Sequence, residues 1–235
     1  MTGKLYVVPN LLGAVAPAAV LPSGTLEIAR GLTRWIVETP KVARAFLKSV
    51  DVARPIAELD ISALEIKAGR RGLDPVIAAL RAGEDVGLLS DAGCPGVADP
   101  GAVLVATAHE QGIRVVPLVG PSAILLALMA SGMNGQQFCF HGYLPVKPDA
   151  RTSALRALEQ QSRSNARTEL FIETPYRNAA MLGAMATALN PATRICVAAD
   201  LTLATEIVEC RPASQWQRID HARFDRRPAI FLLQA

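Results

Sequence analysis

The sequence predicts an α/β fold in two domains, residues 1–119 and 120–235, the first sheet mainly parallel and the second mixed. Short apolar runs bounded by Gly, Pro or Asp alternate with helical segments along the first half. Hydrophobic residues fill 51% of the 235 positions and aromatic residues only 5%, which suits aliphatic side chains between helices and parallel strands better than a β-sandwich. In the second half the β-rich runs follow one another with less helix between them, so that sheet is read as mixed.

Taken in order, Leu5 to Val8, Trp35 to Val37, Val86 to Leu89 and Val115 to Val119 read as buried strands. Between the last two, Asp99 is placed to cap a helix with Pro100 at its first position, and Gly112 to stop it. Pro121 opens an apolar helix that ends at Gly132. Strand character resumes at Phe138-Cys139-Phe140, and a polar helix is expected from about Asp149 to Gln161. Glu169 to Ile172, Arg194 to Ala199, Glu206 to Cys210 and Ala229 to Leu233 complete the strands. Ala14 to Ser23 is rich in Pro and Ala and reads as an irregular surface loop.

Charge decides little. The 24 Lys and Arg against 21 Asp and Glu leave +3, which neither requires nor excludes an RNA partner. Cys94, Cys139, Cys196 and Cys210 form no C-x-x-C pair, and with only three histidines no zinc site is expected. Their spacing is no disulfide framework either, which points to a reducing, cytoplasmic setting. No window approaches the roughly 20 apolar residues of a membrane span, and the first residues do not read as a targeting segment.

The most informative stretch runs from Ser90 to Gly101, between a buried strand and a helix, where ligands of open α/β sheets bind. Its glycines let backbone approach a ligand and its prolines stiffen the loop. Asp91 is placed either to accept hydrogen bonds from a ligand amine or hydroxyl, or to cap a turn. Gly120-Pro121-Ser122-Ala123 also passes from strand to helix, where unpaired N–H groups and small side chains leave room for a ligand, although an ordinary helix start explains it too. Neither loop is a G-x-x-x-x-G-K cradle, and no G-x-G-x-x-G follows the first strand, so nucleotide hydrolysis and dinucleotide binding lose support.

Together with Leu5 to Pro9, Ala130-Ser131-Gly132, Phe140 to Pro145 and Ile172 to Arg177, these loops resemble the ribosomal RNA small subunit methyltransferase I family of the tetrapyrrole methylase superfamily. The order and spacing of the segments match over nearly the whole chain. The resemblance implies two αβα domains, S-adenosylmethionine as cofactor in the cleft between them, and a homodimer. It assigns cofactor contacts to Pro9, Asp91, Val97, Gly120, Ser122 and Ala123, and to the later strand ends at Ile172, Leu201, Pro228 and Ala229. The implied partner is RNA or the ribosome, with a small-molecule acceptor as the alternative and a non-catalytic binding protein as a further one.

The departures fall on the substrate side. Glu38-Thr39-Pro40-Lys41 stands where the family carries Glu-Asp-Thr-Arg, the region of Glu58 to Ile61 lacks a His-Glu-His-Asn segment, and Pro9-Asn10-Leu11-Leu12-Gly13 replaces Pro-Thr-Pro-Ile-Gly-Asn. Weak action on the usual ribosomal site is therefore expected. If the acceptor is a hydroxyl, a base must remove its proton, and Glu38, Lys41 and Glu173 are the catalytic candidates, with a turn-capping role for Glu173 as the alternative. His109 is read as a surface or packing residue and His141 as a hydrogen-bonded structural one. The basic cluster of Arg223, Arg226 and Arg227 around His221 is read as a solvated turn.

Overall fold

The computed structural model describes residues 2–65 and 72–235. The chain divides into two compact units, Met1–Ser122 and Ala123–Ala235.

The first unit is built on strands β1 (Lys4–Val8), β2 (Arg34–Val37), β3 (Asp60–Ala63), β4 (Val86–Leu89) and β5 (Arg114–Pro117), with helices α1 (Ser23–Gly31), α2 (Pro40–Ser49), α3 (Asp74–Arg81) and α4 (Ala102–Glu110). The strand order is β3-β2-β4-β1-β5, and every neighbouring pair is parallel. Alternation along the strands sorts side chains to two faces. Val8, Trp35 and Val37 pack with Leu26 and Ala29 of α1 and Ala43, Phe46 and Leu47 of α2. Leu5, Ile36, Val86 and Leu88 pack with Val76, Ile77 and Leu80 of α3 and Leu104 and Ala108 of α4. Ala43, Phe46, Leu47 and Val50, all buried, recur at the spacing of one helix face. Each large side chain so covered contributes roughly 1.5–3 kcal/mol.

The second unit holds α5 (Ala123–Ser131), β6 (Phe138–Tyr143), α6 (Pro148–Asn165), β7 (Thr168–Ile172), α7 (Asn178–Ala188), β8 (Arg194–Ala199), β9 (Ile207–Pro212), α8 (Ala213–Trp216) and β10 (Ala229–Gln234). Its order is β6-β7-β10-β8-β9; β6 and β7 are parallel and the other pairs antiparallel, so the sheet is mixed as expected. One face packs Phe171, Ile195, Val197, Phe231 and Leu233 against Leu155, Met181, Leu182, Met185 and Trp216. Phe171 and Phe231 are register partners and stack with centroids 5.7 Å apart. Helix α5 packs against β8, β9 and β10.

Several local expectations change. Asp99 does not cap α4, which starts at Ala102 behind Gly101. Its carboxylate instead accepts from the N–H groups of Gly96, at 2.8 Å, and Gly101, at 2.7 Å, because an acidic side chain bonds the backbone of its own loop readily. Helix α5 starts at Ala123, so Gly120 to Ser122 are loop, and α6 is longer than Asp149 to Gln161. Strands β3 and β5 are respectively an addition and shorter than Val115 to Val119, and helix α7 is an addition. The Ala14 to Ser23 segment is not wholly irregular: Pro17–Ala19 make a 3-10 turn and Leu21 is buried in the core.

Candidate functional site

Parallel strands release the chain at one edge of a sheet, so the loops after β2, β4, β1 and β5 of the first unit share its C-terminal edge. The helix after β1 packs on one face and the helix after β4 on the other, which makes the gap between these neighbouring strands a switch point where ligands settle. Asn10 spans it. Its Nδ2 donates to the carbonyls of Ser90, at 2.9 Å, and Asp91, at 3.1 Å, while its own N–H reaches Gly93 O at 2.9 Å. Next to it, Thr39 Oγ1 donates to Asp91 Oδ2 at 2.7 Å, and Glu38 Oε2 accepts from the Asp91 N–H at 3.1 Å. Asp91 thus stands among polar groups from three strand ends, itself half-buried.

The loop after β5 is fixed to the same edge. Gly120 lies so close to Pro9 that a Cβ on it would sit 2.4 Å from the Pro9 Cβ and 2.9 Å from Leu21, so no larger residue fits without movement. Thr25 Oγ1 holds the Val119 carbonyl at 2.8 Å, and Cys94 Sγ approaches Pro121 O at 3.4 Å. Burial, then the nearby Asp99, push the Cys94 thiol up. Ala98, a non-glycine residue at φ 62, marks the Gly-rich loop as held in a costly conformation of the kind that clusters at ligand sites. A cavity of about 410 Å³ at this edge is lined by Asn10, Leu11, Val42, Phe46, Asp91 and Ala92 among others. Pro9, Asp91, Gly120 and Ser122 therefore lie on neighbouring loops. Val97 is 49% exposed on the Gly-rich loop, and Lys41 is exposed on the first turn of α2.

In the second unit, β10 runs antiparallel to both β7 and β8, pairing Ile230 with Ile172 and Ala229 with Ala199. Its start therefore meets their ends, and Asp200 N donates to Pro228 O at 3.0 Å. Ile172, Leu201, Pro228 and Ala229 share this edge, while Ala123 opens α5. Asp200 (φ 52) and Thr202 (φ 75) are again non-glycine residues with positive φ. Glu173 is buried here. Its Oε1 accepts from Thr174 N at 2.6 Å and from the Arg177 guanidinium at 2.5 Å and 2.9 Å, and the hydrogen bond from Arg177 in turn raises the pKa of that guanidinium. Glu173 Oε2 is buried with no hydrogen-bond partner, as is Thr202 Oγ1. A buried oxygen without a donor is costly, so both atoms suit a ligand that brings donors.

His141 Nε2 lies 2.6 Å from Oε2 of the fully buried Glu169, whose Oε1 accepts from Arg167 at 2.6 Å. Cys139 joins them, the three ligand atoms lying within 4.8 Å of one another, but Arg167 already supplies the countercharge that a cation would bring. His221 Nε2 lies 2.7 Å from Trp216 O, and His109 is exposed on α4. Asn10 and Thr39 are the site residues that sequence reasoning passed over. Both lie inside the departures from the family motifs, and those departures were the available signal.

Residues 36–215 match the family model of Tetrapyrrole (Corrin/Porphyrin) Methylases. The chain belongs to this family and is an S-adenosylmethionine-dependent methyltransferase. Within it, the chain belongs with the proteins named Ribosomal RNA small subunit methyltransferase I. It is 31% identical to that of Escherichia coli O157:H7, over 94% of this chain and 74% of the relative. It is 38% identical to that of Mesorhizobium japonicum, over 92% and 69%, and 38% to that of Pseudomonas aeruginosa, over 91% and 71%. The fold is that of the methyltransferase CobJ, whose crystal structure superposes with a TM-score of 0.63 at 18% identity, over 99% of this chain and 94% of that one. Taken unit by unit, the residues fit the cofactor in chemistry: S-adenosylmethionine carries amine and hydroxyl donors, for which the first unit offers the Asp91 carboxylate, and the second unit by itself offers buried oxygens on Glu173 and Thr202 and apolar side chains at Ile172, Leu201 and Ala229.

Proposed function

We propose that this protein methylates a ribose hydroxyl of small-subunit ribosomal RNA. The observation that carries the reading is the Glu38–Thr39–Asp91 cluster, a carboxylate held beside the cofactor loop, in a chain similar along nine-tenths of its length to enzymes named for that RNA. S-adenosylmethionine, when bound, supplies an electrophilic methyl on a sulfonium. Asp91, Ser122 and Ala123 hold it, with Pro9, Val97 and Gly120 shaping the space around it. In the second unit, taken by itself, Ile172, Leu201, Pro228 and Ala229 are the candidate cofactor contacts, with Glu173 Oε2 and Thr202 Oγ1 as buried acceptors. Holding donor and acceptor together supplies most of the rate.

Glu38 takes the proton of the acceptor hydroxyl. It is exposed, and the Asp91 N–H that it accepts fixes its carboxylate at the cofactor loop. Lys41, on the first turn of α2, contacts the RNA backbone, without the planar fork of an arginine. Glu173, engaged by Thr174 and Arg177, positions rather than moves a proton. Thr39 stands where relatives carry an aspartate and gives its hydroxyl to Asp91, so turnover at the usual ribosomal position is slow. The reading carries with it a homodimer in the cytoplasm; among the described residues no helix is long and apolar enough to cross a membrane.

The test is incubation with labelled S-adenosylmethionine and small subunits lacking the methyl group, followed by nuclease digestion and mass spectrometry. The expected product is a 2′-O-methylated nucleoside, formed about a hundredfold more slowly by Glu38→Gln, within the usual range for loss of a general base. Methylation of a base atom, or of a small acceptor with RNA untouched, contradicts the reading, and so does cofactor binding without transfer.

A further inference from the structure

Strands β8 and β9 bring two cysteines face to face. Cys196 and Cys210 are direct partners in the antiparallel register, so their side chains leave the sheet on the same side, at the separation of a cross-strand pair. Cys196 is wholly buried, whereas Cys210 is exposed on the edge strand of the sheet. The Cys196 thiol donates a hydrogen bond to the Cys210 sulfur, and this bond, helped by Arg194 and opposed by burial, brings the Cys210 pKa down to about 7. The same bond, and then burial, push the Cys196 thiol up. An exposed sulfur whose pKa is lowered thus stands opposite a protonated one shielded from solvent. That division of labour is the one an attacking and a resolving cysteine need.

We propose that Cys210 and Cys196 are a modification site that a small peroxide converts to a cross-strand disulfide. The Cys210 thiolate attacks one peroxide oxygen; the S–O bond forms, the O–O bond breaks and hydroxide leaves, so that sulfur is oxidised to sulfenic acid and the peroxide reduced. The Cys196 sulfur then displaces the sulfenic oxygen, which departs as water with the Cys196 proton, and the S–S bond forms. Two thiols and one peroxide give one disulfide and, with the proton first lost by Cys210, two waters. Thiols return by exchange with a small dithiol. Cys94 is an internal control, since burial and Asp99 disfavour its thiolate.

The test uses the reduced, intact chain, exposed to equimolar hydrogen peroxide, blocked with iodoacetamide and digested without reductant. The expected result is a linked pair of peptides containing Cys196 and Cys210, released by dithiothreitol, with Cys94 alkylated. Cys196→Ala should leave a lasting sulfenic acid on Cys210 that dimedone captures. The same variant should slow alkylation of Cys210 at pH 7 by roughly tenfold, because the donor that favours the thiolate is gone. Should that variant not fold, the alkylation rate of wild-type Cys210 against pH decides: a midpoint near 7 supports the proposal, and one in the ordinary thiol range overturns it. Oxidation of Cys94 or Cys139 first, passage of Cys210 to sulfinic acid with Cys196 still reduced, or no oxidation of the pair also overturns it.

Discussion

Gly120 shows how one residue sets the geometry of the loops at the C-terminal edge of the first sheet. Its Cα faces the Pro9 ring at a distance that excludes a methyl group, so Gly120→Ala must push apart the loops after β1 and β5. Overpacking of this kind costs about 1–3 kcal/mol. Urea denaturation should show that loss, and cofactor affinity should fall with it; unchanged values for both would mean that the loops are not held together here. The sequence made Gly120, Asp91 and Ser122 visible because small and acidic residues cluster in loops that follow strands. It did not reveal Asn10 or Thr39 as partners of Asp91. Each lies more than fifty residues from it along the chain, and no local pattern encodes which side chain crosses between adjacent strands. Asp99 illustrates the converse, a helix-cap signature whose carboxylate closes its own loop instead.

At the scale of elements, the strands with four or more buried residues, β4, β7, β8 and β10, are plain in the sequence, and the exceptions have physical reasons. Strand β3 reads Asp60-Ile61-Ser62-Ala63 and is largely exposed at the sheet edge; its polar-apolar alternation spans only four residues, the shortest run in which such a pattern can be read. Helix α7 carries Ala, Met and Leu around most of its circumference and gives no contrast between faces for a period to show. Its start is fixed by Asn178, whose Nδ2 donates at 2.8 Å to the carbonyls of both Phe224 and Arg227, just before Pro228 and Ala229. Asn178→Ala leaves these carbonyls unpaired and should cost about 1–3 kcal/mol, read as a lower midpoint in thermal unfolding. Because those carbonyls lead into the start of β10, the variant should also bind S-adenosylmethionine more weakly. An unchanged midpoint would show that α7 is anchored elsewhere.

For the molecule as a whole, the order and spacing of the Gly-rich and Pro-rich loops are enough to place the chain in its family from the sequence alone. The methyl acceptor was less legible, because an acceptor is recognised by side chains scattered over several loops that no local pattern connects. The homodimer is a separate proposal: sedimentation at micromolar concentration should give twice the 24.9 kDa of the chain, and a single-chain mass would contradict it. The central claim is that the loops gathered around Asp91 and Ser122 bind S-adenosylmethionine for methyl transfer. Calorimetric titration of that compound into the folded protein tests it most directly, with Ser122→Trp alongside. The account predicts one molecule bound per chain and loss of binding in the variant with thermal unfolding unchanged; no heat of binding at millimolar ligand, or full affinity in Ser122→Trp, would contradict it.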